Sequence, residues 1–101
     1  MGRYTVRLSS RVREQLVRHS RFLANVSISA AKRFRASFEI ILKRLEDNPY
    51  QFPVDFEYHT EEKPYRKALF GMRYKALFIV DKWIVWIDSV IDCRQHTLNL
   101  S

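Results

Sequence analysis

Arg66, Arg73, Lys75 and Arg94 are the residues whose type and spacing most invite a chemical reading. They lie in or beside three strand-like segments, residues 65–70, 73–80 and 83–91, all rich in β-branched and aromatic side chains. Side chains alternate across a strand, so Arg73, Lys75, Leu77 and Ile79 share one face and Tyr74, Ala76, Phe78 and Val80 the other. The second set is wholly apolar and is predicted to face the core. Arg73 and Lys75 then point to the open face, where Arg66 joins them from the neighbouring strand and Arg94 from the end of the third. Cations held together repel one another until an anion offsets them, so such a cluster suits an anionic ligand or partner. The single cysteine, Cys93, excludes an internal disulfide and reads as a buried strand-end residue. Three scattered histidines give no metal-ligand spacing, and nothing in the chain calls for a cofactor.

The connections at Gly71-Met72 and Asp81-Lys82 are too short for anything but hairpins, so the three segments form an antiparallel meander. The third is apolar on both faces over residues 84–87, as an interior strand is, and another strand must cover its free side. Residues 3–8 alternate Arg3, Thr5, Arg7 with Tyr4, Val6, Leu8 and supply that cover. Ser9-Ser10 offers an N-cap for a helix over residues 10–24, in which Val12, Leu16, His19 and Leu23 share a face. After a polar break over 25–29, Ala31, Phe34, Phe38, Ile41 and Leu45 make the apolar stripe of a second helix. That helix ends near Asp47, because the residue before Pro49 disfavours helical geometry. The expected architecture is α+β: one strand, a helical hairpin and a meander, with the helices packed on one face of a four-stranded sheet. Residues 48–63 are locally acidic and carry Tyr50, Phe52, Phe56 and Tyr58, so this loop is expected to be packed, to fold over the sheet edge and to pair with the arginines. Trp83 and Trp86 read as core or edge cover rather than as platforms for nucleobases.

A chain of 101 residues, 47% hydrophobic and 14% aromatic, is one domain with one core. No apolar run is long enough for a membrane helix and no signal-peptide core opens the sequence, so a soluble cytoplasmic protein is expected. A net charge of +7 favours an acidic or polyanionic partner. Arg11, Arg13, Arg18, Arg21, Lys32, Arg33 and Arg35 on the two helices read either as a solvated surface or as a nucleic-acid stripe. Arg11, Arg18, Arg33 and Arg73 are the partner-binding candidates.

Several pieces carry a resemblance: Tyr4-Thr5-Val6-Arg7-Leu8-Ser9, Leu45-Glu46-Asp47-Asn48-Pro49, Tyr65-Arg66-Lys67-Ala68-Leu69, Arg73-Tyr74-Lys75-Ala76-Leu77-Phe78 and Val90-Ile91-Asp92-Cys93-Arg94. In this order they resemble the RelE/ParE superfamily of toxins from type II toxin-antitoxin pairs, over residues 3–95. The resemblance implies a small growth-inhibiting toxin of the kind linked to plasmid stabilisation, neutralised by a cognate antitoxin that wraps over it, with a homodimer or a toxin-antitoxin hetero-oligomer possible. Relatives either cleave messenger RNA on the ribosome, as RelE-like members do, or poison DNA gyrase, as ParE-like members do. Matched to the ribonuclease pattern, Arg66 falls on a strand lysine, Lys75 on the central arginine and Arg94 on the arginine after the last strand. Ala68 stands where a second strand lysine belongs and no tyrosine follows Arg94, which leaves His96 as the one substitute acid or base.

Cleavage by a 2′-hydroxyl needs a proton acceptor, a proton donor and cations around the phosphorane-like transition state, and Arg66, Lys75, Arg94 and His96 supply chiefly the last. The depleted acid-base set favours the ParE-like reading. An endoribonuclease using those four residues, and a non-toxic peptide-binding scaffold of the same fold, stand as alternatives. Each residue also has an ordinary reading: Arg66 and Lys75 as solvent-facing charges, Arg94 as an ion-pair partner of Asp88 or Asp92, and His96 as inert.

Overall fold

The computed structural model describes residues 2–94. Its elements are β1 (Thr5–Leu8), α1 (Ser10–Val26), α2 (Ile28–Asp47), a 3-10 turn (Pro49–Gln51), β2 (Arg66–Phe70), β3 (Tyr74–Asp81) and β4 (Ile84–Asp92). The sheet order is β1-β4-β3-β2, with β1 parallel to β4 and the other two pairings antiparallel. The α+β architecture expected from the sequence is present, with β1 covering the free side of β4.

Ser9 starts α1 by accepting the Val12 N–H on its hydroxyl oxygen, and the same hydroxyl donates to the Asp88 carbonyl at 3.0 Å. The two helices are parted by Ser27 alone, not by the five-residue break that the polar stretch suggested. Its backbone N–H closes α1 on the Leu23 carbonyl, while its Oγ accepts the Ala30 N–H to open α2. One extended residue with a short hydroxyl thus serves both ends. Asn48 ends α2 ahead of Pro49, as expected.

Both helices lay their apolar stripes on the same face of the sheet. Val12 from α1 and Phe34, Phe38, Ile41 and Leu45 from α2 are buried against Ala68, Phe70, Tyr74, Ala76, Phe78, Val85 and Ile87. At the centre Phe34 lies 4.6 Å from Tyr74 and Phe38 5.4 Å from Phe70, between ring centroids. His19 also faces inward, its Nε2 3.1 Å from the Val90 carbonyl. The β3–β4 register slips between Leu77 and Phe78, which face Ser89 and Ile87 and leave Asp88 as an extra residue on β4.

Phe38→Ala should destabilise the protein by about 3–5 kcal/mol, the usual range for truncating a buried phenylalanine. Chemical denaturation measures this directly, and a loss below about 1 kcal/mol would mean that Phe38 does not seat in the core as described.

Candidate functional site

Lys75 is the centre of the sheet face that the helices leave uncovered, and it is buried there, with 8% of its surface exposed. The loop between α2 and β2 explains why. Val54 bridges Arg66 at the outer edge of β2, the Pro53 carbonyl accepts the Lys67 N–H, and the Asp55 N–H donates to the Tyr65 carbonyl. The chain then turns over the face at Asp55, whose Oδ1 accepts the backbone N–H groups of Glu57 and Tyr58, both at 2.9 Å. Its Oδ2 accepts from Lys75 Nζ at 2.7 Å. Glu57 Oε1 lies 3.4 Å from the same nitrogen and the Tyr58 ring 5.1 Å away. Farther along, the Tyr65 hydroxyl donates to the Asp88 carboxylate at the bulge of β4.

Burial by itself would raise the Asp55 pKa and lower that of Lys75. Their mutual hydrogen bond and attraction prevail, helped by the two N–H groups on Asp55 and by Glu57 on the lysine. The carboxyl is held below its ordinary 3.8 and the ammonium above its ordinary 10.5. Burial chiefly, with Asp88 adding to it, raises the Tyr65 phenol, and burial likewise raises the half-buried Cys93 thiol despite the Lys75 charge. Cys93 is thus a protonated thiol at the end of the last strand, though less buried than its position implied.

The predicted cluster does not assemble. Arg66 pairs with Phe78 and therefore shares the helix-covered face. Its guanidinium donates to the Phe52 carbonyl and sits 5.0 Å over the Tyr50 ring. The physical reason is the β2–β3 connection, which contains three residues, Gly71 to Arg73, so that Phe70 faces Tyr74. Gly71 and Met72 both take positive φ there. With a two-residue turn Arg66 would oppose Leu77; the extra residue reverses the face of every β2 side chain. Lys67, opposite Leu77, is the β2 cation on the Lys75 face.

Arg73 is not on that face either. It sits in the turn and folds back to the helix side, donating to Asp92 at 2.9 Å with its guanidinium near the Phe22 and Tyr74 rings. It is an ion-pair member rather than an exposed partner contact. Arg94 is exposed, and its backbone N–H donates to Asp92. Arg11, Arg18 and Arg33 are exposed on the helices, and His96 lies outside the described residues. The acidic loop does pack and pair as expected, but with a lysine. Trp83 and Trp86 are exposed, at 61% and 44%, and are not core.

No protein-family model and no curated protein matches the sequence. Among the described residues, no group of acidic, histidine or cysteine side chains is placed to hold a metal ion. No helix there is long and apolar enough to cross a membrane.

Asp55→Asn should cost about 3 kcal/mol at neutral pH, because it strands the buried Lys75 charge. The pH dependence follows from the shifts. A depressed Asp55 pKa stabilises the fold above 3.8, and that contribution is lost as acid titrates the folded-state carboxyl below it. The raised Lys75 pKa contributes below 10.5 and its share is lost as base titrates the folded-state ammonium above it. Denaturation midpoints measured across pH should therefore show wild type and variant converging at both extremes. A gap that does not change with pH would contradict the pair.

Proposed function

We propose that the protein is the toxin of a type II toxin-antitoxin pair, of the ParE-like kind that inhibits DNA gyrase, working in the cytoplasm and neutralised by a cognate antitoxin. The observed order of elements, with the first strand closing the sheet beside the last, supports the resemblance carried by the sequence. The occupation of Lys75 by Asp55 and Glu57 supports the gyrase arm over RNA cleavage. A cation already neutralised by two carboxylates is poorly placed to stabilise a phosphorane-like transition state, and Arg66 lies on the opposite side of the sheet. The exposed Arg11, Arg18 and Arg33 are the surface on which an acidic antitoxin segment would gain electrostatic attraction.

Purified protein assayed in parallel for gyrase supercoiling and cell-free translation should abolish the first and spare the second. The converse result would select the ribosome-dependent endoribonuclease, and inactivity in both would select the peptide-binding scaffold. Arg94→Ala, at an exposed position, should leave thermal stability unchanged while reducing growth inhibition on expression. Full toxicity of that variant would move the functional surface to the helical hairpin.

A further inference from the structure

At the end of the sheet where β1, β2 and β4 begin, three aromatic rings form a continuous strip. Trp83, on the β3–β4 turn, lies 5.3 Å from Tyr4, and Tyr4 lies 6.4 Å from Tyr50 on the 3-10 turn, between ring centroids. Tyr4 is half-buried and fixed from below, its N–H donating to the Glu46 carbonyl at the end of α2. Its two neighbours are open to solvent, Trp83 at 61% and Tyr50 at 53%. Nothing in the core requires them: the apolar clusters of both helices are filled without either ring. A contiguous exposed group of large rings is unlike the scattered apolar residues that any surface carries.

One ring has a cation against it and the other two have a cation next to them in sequence. Arg3 precedes Tyr4, Lys82 precedes Trp83, and both are exposed; Arg66 lies over Tyr50. The nearby carboxylates are Glu46, Asp47 and Asp81, set against Arg3, Arg44, Arg66 and Lys82 in a chain of net charge +7. Rings that offer faces for stacking, interleaved with cations that can meet phosphates, are the two components of sequence-tolerant single-strand recognition. The ring planes are turned from one another by 47° and 75°, which gives separate stacking positions rather than one flat platform. Proline-rich peptides also dock on aromatic strips, but Arg66 over Tyr50 and a net charge of +7 favour a ligand that is itself anionic.

We propose that the Trp83–Tyr4–Tyr50 strip binds single-stranded nucleic acid, its rings stacking on bases while Arg3, Lys82 and Arg66 contact the backbone phosphates. The strip lies apart from the Lys75 face, and its binding does not depend on whether gyrase is inhibited.

Titration of the full chain with fluorescently labelled oligothymidylate and oligouridylate tests this, read by anisotropy and by quenching of tryptophan emission. Trp83→Ala and Tyr50→Ala should each weaken binding by about tenfold or more. Trp83→Phe should recover most of the loss, and Lys32→Ala, exposed near the start of α2 and far from the end that meets Tyr4, should have the small effect of any distant charge. Circular dichroism checks that the variants fold, which their exposure favours. The proposal is overturned if neither oligonucleotide binds, if the ring variants bind as wild type does, if Lys32→Ala costs as much as Trp83→Ala, or if polyglutamate binds as tightly as the oligonucleotides. Tighter binding of a proline-rich peptide to the same rings would also overturn it.

Discussion

The whole sheet depends on the join between β1 and β4, two strands from opposite ends of the described chain. β4 presents apolar side chains to both faces, and without β1 its backbone N–H and C=O groups would line an open edge. Ser9 fixes the join at one end: it caps α1 and donates to the Asp88 carbonyl, 79 residues away. Tyr4 fixes the other through the Glu46 carbonyl at the end of α2. The strand is thus held at each end by a helix terminus, which is why four residues suffice for it. A parallel pair needs a long connection, and here that connection comprises the helical hairpin, the acidic loop and the β2–β3 meander.

Closing the sheet in this way commits one face to the helices and leaves the other to the loop between α2 and β2. Leu77 and Ser89 on that second face are buried although no helix covers them. The loop is able to lie there because Lys75 holds Asp55, and because Asp55 in turn organises two backbone N–H groups with its other oxygen. A buried lysine is costly without a partner and a buried aspartate more so. Together they give the loop one position on the sheet. The Tyr65–Asp88 hydrogen bond adds a second tie, to the extra residue of the bulge. Electrostatic neutralisation of the face and ordering of the loop are one event.

Periodicity carried most of the fold. The stripes Val12–Leu16–His19–Leu23 and Phe34–Phe38–Ile41–Leu45 are the ones that pack inward, and the caps at Ser9 and before Pro49 end the helices where the residues imply. Local pattern could not show the single-residue break at Ser27, because the exposed Asn25, Val26, Ile28 and Ser29 are compatible with either helix or loop, and the two caps made by Ser27 let both helices run up to it. The acid surplus of residues 48–63 signalled that the loop would meet the basic sheet, yet the partner of Asp55 depends on where Pro53 and Val54 bridge β2. The exposure of Trp83 and Trp86 had no local signal either. A tryptophan in an apolar strand is normally covered, but Trp83 sits on the β3–β4 turn and Trp86, between Arg7 and Ile79, lies on the sheet face that the helices leave uncovered.

The candidate site was the least legible part, for a reason that belongs to sheets in general. Which cations share a face is decided by the parity of the register between strands, and parity is set by one residue in a turn. Gly71 and Met72 in positive φ, with Arg73 completing the connection, place Phe70 opposite Tyr74. That one residue sends Arg66 to the helix side and brings Lys67 to the side of Lys75. The same step explains both surfaces. Removed from the loop-covered face, Arg66 reaches the Phe52 carbonyl and the Tyr50 ring, and so becomes the cationic end of the aromatic strip. Lys75 is left as the central charge of a face whose neutralisation then falls to Asp55 and Glu57. A single turn residue thereby separates two sets of cations: one spent on holding a loop, the other presented beside open aromatic rings.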